Sequence, residues 1–302
     1  MNRLPRTADK NQAAAEVVVT PRSHGVTEYI GRLAVRALYH EAVLYPKPGL
    51  VSPVDCGAHR DMSIATFYRS LFALRGYFPA IAALGVDLPP LRILQRRGLE
   101  AEAAMLRATG GINAHRGAIF NLGLLCAAAG AVAASGERCT ADAVCARVRQ
   151  TWGRAIRRDL ASAGGTTHGL CVMRTYGVGG ARSEAAGGFR SVRRYALPAF
   201  RAAVARTADR ERASVQALFA LIAQLDDSNL LWRGGSEGLA FAQRGARDFL
   251  ARGGVLASDW RTTALHLHHA FIRRELSPGG SADLLAVTLF LDELDPAPRG
   301  AP

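Results

Sequence analysis

Residues 110–135 read GGINAHRGAIFNLGLLCAAAGAVAAS, and the character of this stretch decides the fold. From Ala118 to Ala134 the run is almost unbroken apolar. A run of that length suits a helix and exceeds an ordinary strand. It is too short for a confident bilayer span, contains Asn121 and two glycines, and follows His115 and Arg116, so a helix buried in a protein core is expected. The paired glycines before it end one helix and open the next.

Working outward, the same helical periodicity recurs. Over 27–45, Ile30, Leu33, Ala34, Ala37, Leu38 and Val43 share one helix face, Thr27 can cap the start and Pro46 stops the run. Further helices are expected over 62–84, 89–108, 113–135, 140–160, 192–208, 210–225, 236–252, 257–275 and 281–294. No period-two strand, hairpin signal or internal repeat is evident in the body. The expectation is an all-α fold: a single large helical-bundle domain over 27–296, with a flexible N-terminal leader over 1–26 and a short tail over 297–302.

Composition agrees. The chain has 302 residues, 49 % of them hydrophobic, which excludes a mostly disordered protein and provides for a large core. Five cysteines, none in a CxxC pair, argue against a disulfide framework or a zinc ribbon and suit a reducing cytoplasm. No secretory signal is visible at the N-terminus. The net charge is +13, which favours anionic partners. Only Lys10 and Lys47 are lysines and the other 36 basic residues are arginines, a skew that weakens the charge as evidence for nucleic acid. Lys47 stands out against it.

The linkers carry the chemistry. Helix connections need Gly and Pro but not charges and imidazoles in nearly every one, so a shared polar site at the helix ends is expected, built from Gly-rich interhelical loops. In PKPG, 46–49, two prolines present Lys47 toward an anion, with Gly49 at the turn. Asp55, His59 and Asp61 follow, suited to acid–base work or a cation, although Asp61 or Ser63 can equally cap a helix. Asn113, His115 and Arg116 open the apolar helix, where backbone N–H groups bind anions. Residues 177–189 hold five glycines around Arg182 and Glu184, a loop able to fold round a ligand. Asp226, Asp227, Ser228 and Asn229 form an oxygen-rich junction suited to Mg²⁺, with Arg233 close behind. Gly279, Gly280, Ser281 and Asp283 start the last helix. His266, His268 and His269 lack an HExxH pattern and read as surface or packing residues.

Five segments occur in order: PKPGLVSPVDCGAHRDM, GGINAHRGAIFNLG, YGVGGARSEAAGGF, LDDSNLLWRGG and LSPGGSADLLA. Together they resemble the triphosphoribosyl-dephospho-CoA synthase family, in its malonate decarboxylase branch, over nearly the whole body. The resemblance implies an all-α enzyme, a pentosyl transferase. It joins ATP to 3′-dephospho-CoA, releases adenine and makes a prosthetic-group precursor. A separate transferase then places that group on the acyl carrier subunit of malonate decarboxylase. Departures from the family pattern are Ser183 for a glycine, Ser228 for a threonine, Arg116 for a lysine and Trp232 for a histidine.

The implied roles are these. Asp55, His59, Asp61, His115, Glu184 and Asp227 are the catalytic candidates. Lys47, Gly49, Asn113, Arg116, Arg182, Asn229, Arg233, Gly279, Gly280 and Ser281 would hold substrate or phosphate. Asp61, Asp227 and Asp283 would hold Mg²⁺. A cytoplasmic location with no membrane and no nucleic-acid partner is expected. The alternatives are a Mg²⁺-dependent nucleotide or ribosyl hydrolase, and a basic nucleic-acid-binding helical protein.

Overall fold

A computed structural model describes residues 21–162, 164 and 167–295. Of the leader expected over 1–26, residues 1–20 lie outside these described residues and 21–26 belong to α1; residues from 296 on also lie outside them. Fourteen α-helices run through the chain and no strand occurs among the described residues. They are α1 (Pro21–Val43), α2 (Ile64–Leu74), α3 (Tyr77–Gly85), α4 (Leu91–Thr109), α5 (Arg116–Ala134), α6 (Ala141–Thr151) and α7 (Gly153–Ala161). After these come α8 (His168–Tyr176), α9 (Gly180–Ala186), α10 (Leu197–Thr207), α11 (Arg210–Gln224), α12 (Ser228–Ala251), α13 (Trp260–Arg273) and α14 (Gly279–Leu294).

Helix α5, the apolar stretch that decides the fold, is the axis of the core. It is long and apolar enough by composition to cross a membrane, yet 78 % of that window is buried inside the protein. It packs on α1, α3, α6 and α14. Its small residues bring backbones together: a Cβ on Gly130 would stand 2.1 Å from the Ala82 carbonyl oxygen, and one on Gly85 would stand 2.1 Å from that of Ala127. Helix α14 is buried at nearly every position from Ser281 to Asp292, and α11 is similarly enclosed. Each Leu, Val or Phe taken fully out of water there contributes about 1.5–3 kcal/mol.

Several expected boundaries move, for local physical reasons. Helix α1 begins at Pro21, so Thr27 lies inside it and buried rather than at its start. The expected 62–84 helix is two helices, broken at Arg75 and Gly76. A continuous helix would have put Pro79 in its interior; the break puts it in the first turn of α3, where a missing N–H is harmless. Ser63, not Asp61, is the residue that precedes α2, with its N–H donated to Thr66 Oγ1. The 140–160 helix divides at Trp152, whose buried indole donates to the Pro89 carbonyl at 2.8 Å. Thr140 caps α6, its side chain accepting the Ala143 N–H.

The largest difference is in 168–186. The glycine-rich stretch expected as a loop over 177–189 contains α9, and α8 stands just before it, where no helix was expected. Both are short, and packing on α12 supports α8. Helix α12 likewise starts at Ser228, so the expected 226–235 linker is helix up to a kink at Gly235 (φ 59°, ψ −159°). A π-helical turn, Val192–Ala196, precedes α10, and a 3₁₀ turn, Gly254–Leu256, precedes α13.

Candidate functional site

A cleft of about 1160 Å³ opens between α4, α5, α9, α12 and the loops before α2 and α14. The N-terminal residues of four helices line it: Arg116 and Gly117 of α5, His168 and Gly169 of α8, Ser228 and Asn229 of α12, and Gly279 and Gly280 of α14. The positive ends of their dipoles therefore converge on one space, with arginines added.

The 46–62 loop forms one wall, and its rigidity begins with Lys47. This side chain is only 1 % exposed. Its ammonium donates to Glu41 Oε1 at 2.8 Å and to the Glu41 carbonyl at 2.7 Å. Burial pulls its pKa down, opposed by the Glu41 charge. Both side chains line the cleft, so the pair is the cleft's floor and also part of the core. Glu41 is a residue that sequence reading missed, because on α1 it looks like one more helix-surface glutamate.

His268 was expected as a surface or packing residue. It is fully buried and holds the loop from behind. Nδ1 lies 2.8 Å from the Lys47 carbonyl oxygen, and Nε2 lies 2.9 Å from Asp55 Oδ2. Asp55 Oδ1 accepts from the Gly57 N–H at 2.8 Å. Asp55 therefore braces the loop and is not among the residues that line the cleft. Gly49 is also off the wall. At φ +65° it packs so closely that a Cβ would stand 2.1 Å from the Leu276 carbonyl oxygen, which makes it a packing glycine rather than a phosphate contact.

Asp227 was expected as a catalytic and metal-binding carboxylate. It is 1 % exposed and its oxygens are engaged. They accept from the N–H groups of Asn229 (2.9 Å), Gly280 (3.3 Å) and Ser281 (2.7 Å), and from Ser281 Oγ (2.9 Å). Burial raises its pKa and these donors oppose the rise. One carboxylate thus ties the starts of α12 and α14 together, which explains why Asp and Ser stand at these positions. Ser281, fully buried in that bond, is likewise a brace rather than a ligand contact.

Asp283 lies on the cleft wall against the start of α5. A Cβ on Gly117 would overlap its carboxylate, so Gly117 makes room for it. Burial, with the charges of Glu41 and Asp227, raises its pKa well above the ordinary carboxylate value.

Two histidines reach the cleft as neutral imidazoles. His115 precedes α5, with Nδ1 2.6 Å from Ser70 Oγ and its ring edge-on to Phe67. Burial, then the Lys47 charge, lowers its pKa to about 3. Nε2 of His115 is buried and has no partner. His59 accepts from Arg233 Nη2 at Nδ1 (3.2 Å). Because guanidinium only donates, Nε2 carries the hydrogen toward Ser277 Oγ at 2.9 Å. Its pKa falls to about 4 through burial and the Arg233 charge. Arg233 also donates to the carbonyls of Ala58 and Glu275, so it staples two cleft loops together.

Arg116 pairs with Glu102 at the cleft edge, and Asn113 Oδ1 accepts the Arg116 N–H at 3.1 Å, acting as a local cap on the wall. Arg182 is exposed on α9 and lines the cleft. Glu184 also lines it, and both its oxygens accept from Ser191, at 3.1 and 2.7 Å, which anchors its side chain. Trp232, a departure from the family pattern, stacks on His168 with ring centroids 4.0 Å apart at the cleft wall.

The three carboxylates expected to hold Mg²⁺ do not make a cation site. Asp61 is solvent-exposed and 3.8 Å from His59, Asp227 is saturated by donors, and Asp283 is deep in the cleft. Among the described residues no group of three or more His, Cys, Asp or Glu side chains is placed to hold a metal.

The model of the CitG family, described as ATP:dephospho-CoA triphosphoribosyl transferase, matches residues 27–300. A Klebsiella pneumoniae protein named "2-(5''-triphosphoribosyl)-3'-dephosphocoenzyme-A synthase" is 42 % identical over 274 residues, covering 88 % of this chain and 90 % of that protein. Acinetobacter calcoaceticus and Salmonella typhimurium proteins bearing that name with the prefix "Probable" are 42 % and 43 % identical, each over 86 % of this chain and 88 % of the relative. No solved structure gives a significant match. With nearly the whole helical body matched, cleft walls included, the chain belongs to the ATP:dephospho-CoA triphosphoribosyl transferase family.

Proposed function

We propose that this chain transfers the triphosphoribosyl group of ATP to the 2′-hydroxyl of 3′-dephospho-CoA and releases adenine. The observation that carries the reading is the meeting of the α5 and α8 N-termini and three arginines, Arg116, Arg182 and Arg233, on one cleft, the starts of α12 and α14 being held by Asp227. Such a surface suits two polyphosphate substrates. A triphosphate of roughly four negative charges must be held without being cleaved, and fixed dipoles do this without reorganising.

The bond broken joins ribose C1′ to adenine N9, and the bond formed joins C1′ to the acceptor 2′-oxygen. The hydroxyl proton ends on adenine. C1′ becomes oxocarbenium-like, as in glycoside chemistry, so a nearby carboxylate helps. Asp283 is the carboxylate suited to this. Its raised pKa also lets it hold a proton between the attacking hydroxyl and the departing base. His59 and His115, neutral at pH 7, serve as hydrogen-bonding groups rather than as charged acids. Mg²⁺ belongs in this reading as the triphosphate's own counter-ion, held by phosphate oxygens and water rather than by a carboxylate cage.

The five ordered segments extend the reading to the prosthetic group of malonate decarboxylase, passed on by a separate transferase in the cytoplasm. The test is an end-point assay with ATP, Mg²⁺ and 3′-dephospho-CoA, read by mass spectrometry with adenine quantified. Adenine together with a triphosphoribosyl adduct is the expected result. Phosphate release without adenine would overturn the reading in favour of a hydrolase.

A further inference from the structure

Helix α5 presents Gly117, Phe120, Asn121 and Leu124 to the cleft, the spacing of a single helix face. Asn121 is fully buried, and neither its Oδ1 nor its Nδ2 has a hydrogen-bond partner. A buried carboxamide left entirely unpaired is unusual, since buried polar groups are nearly always satisfied. Phe120 and Leu124 stand beside it on the cleft-lining side of α5, while Tyr77 and Ile81 of α3 pack against Gly123 on the other side. Three of the four unpartnered buried side-chain atoms among the described residues belong to cleft-lining residues, two to Asn121 and one to His115.

A slot that offers one unpaired carboxamide next to Phe120 and Leu124 has the chemistry of a purine-base pocket. The amide oxygen can accept from the adenine 6-amino group while the amide nitrogen donates to N7, the bidentate pairing by which asparagine reads adenine. With a rise of 1.5 Å per residue, Asn121 lies about 8 Å along α5 from Arg116. One nucleotide can therefore place its base in the slot and its phosphates at the helix N-termini. We propose that Asn121 is the adenine-reading residue of this cleft, holding the base that leaves. A hydrogen bond donated to N7 also stabilises the electron pair that adenine takes when the C1′–N9 bond breaks. This assignment rests on the proposed reaction and adds to it the residue that selects the nucleotide.

The first test needs no variant. Equilibrium binding of ATP, ITP and 7-deaza-ATP to the wild-type protein is measured by calorimetry without acceptor. ITP reverses the 6-position hydrogen bond and 7-deaza-ATP lacks N7. Each is expected to bind roughly ten- to hundred-fold more weakly than ATP. Equal binding of all three overturns the assignment. The second test is Asn121→Leu, which removes two unpaired polar atoms at similar volume. Its melting temperature is expected to rise by a few degrees, roughly, because an apolar replacement relieves the buried amide. Its affinity for ATP and for free adenine should fall by a similar ten- to hundred-fold, with the KM for dephospho-CoA unchanged. Undiminished ATP affinity, or a loss seen at dephospho-CoA instead, overturns the assignment. If wild-type protein releases no adenine, the reaction is wrong, while the nucleotide binding series still decides the role of Asn121.

Discussion

The two faces of α5 show what this protein does with a small-residue helix. On one face Gly123, Ala127 and Gly130 let α3 approach to backbone contact. On the other, Gly117, Phe120, Asn121 and Leu124 line the cleft, and a carboxamide is left without a partner. The first face is closely packed; the second carries polar atoms whose partners the fold does not provide. The contrast is between residues chosen for stability and residues retained against it, and function accounts for the second kind.

The largest effect should come where the two kinds meet. Lys47→Ala leaves Glu41 as a buried charge without its partner, so a loss of about 3–5 kcal/mol in urea unfolding is expected. The double variant Lys47→Met with Glu41→Leu should recover most of that stability while remaining inactive. Recovery of activity as well would remove Lys47 from the site and make it a core residue alone.

Next is a paired comparison on α5. Gly130→Ala gains about 1 kcal/mol in helix propensity. It must also force the α3 backbone away, because its Cβ would meet the Ala82 carbonyl oxygen at 2.1 Å. Overpacking of this kind costs about 1–3 kcal/mol, so net destabilisation with normal turnover per folded molecule is expected. Gly117→Ala on the cleft face meets only the Asp283 side chain, which can move. It should lose activity and keep its melting temperature. If both variants behaved alike, the two faces would not be functionally separate.

The smallest expected effect is on pH dependence. The raised pKa of Asp283 means that the folded state binds its proton more readily than the unfolded state does. Wild-type stability from this group is therefore lost as pH rises from about 3.8 through the folded-state value, and is flat above it. Asp283→Asn should melt higher than wild type at pH 7, with the difference vanishing below about pH 3.8. Its turnover should fall. Thermal melts across pH 3.5–8 read this directly.

Much of the fold could be read from residue patterns, because an apolar periodicity of 3.6 is a local property. The 210–225 helix and the apolar 113–135 helix were legible within a few residues. Helices α8 and α9 were not. Glycines at 177, 179 and 180 read as a loop, and the force that keeps α8 helical is contact with α12, which no local pattern records. The site was legible as a set of loops but not as a set of roles. Asp227 and Asp283 look alike in the sequence, each an acidic residue at a helix start. Four donors fill Asp227, whereas Asp283 stays at the cleft with its proton affinity raised.

By itself, the sequence determined that the chain is all-helical, that one apolar helix would be its core, and that polar loops would share a site. These follow from composition and short-range spacing. Tertiary structure alone decided which carboxylates are braces and which line the cleft. It also decided that Glu41 and His268 belong to the site and that Asn121 goes unpaired. The reason is physical: a polar side chain is defined by whether its hydrogen bonds are already made, and the partners come from residues distant in sequence.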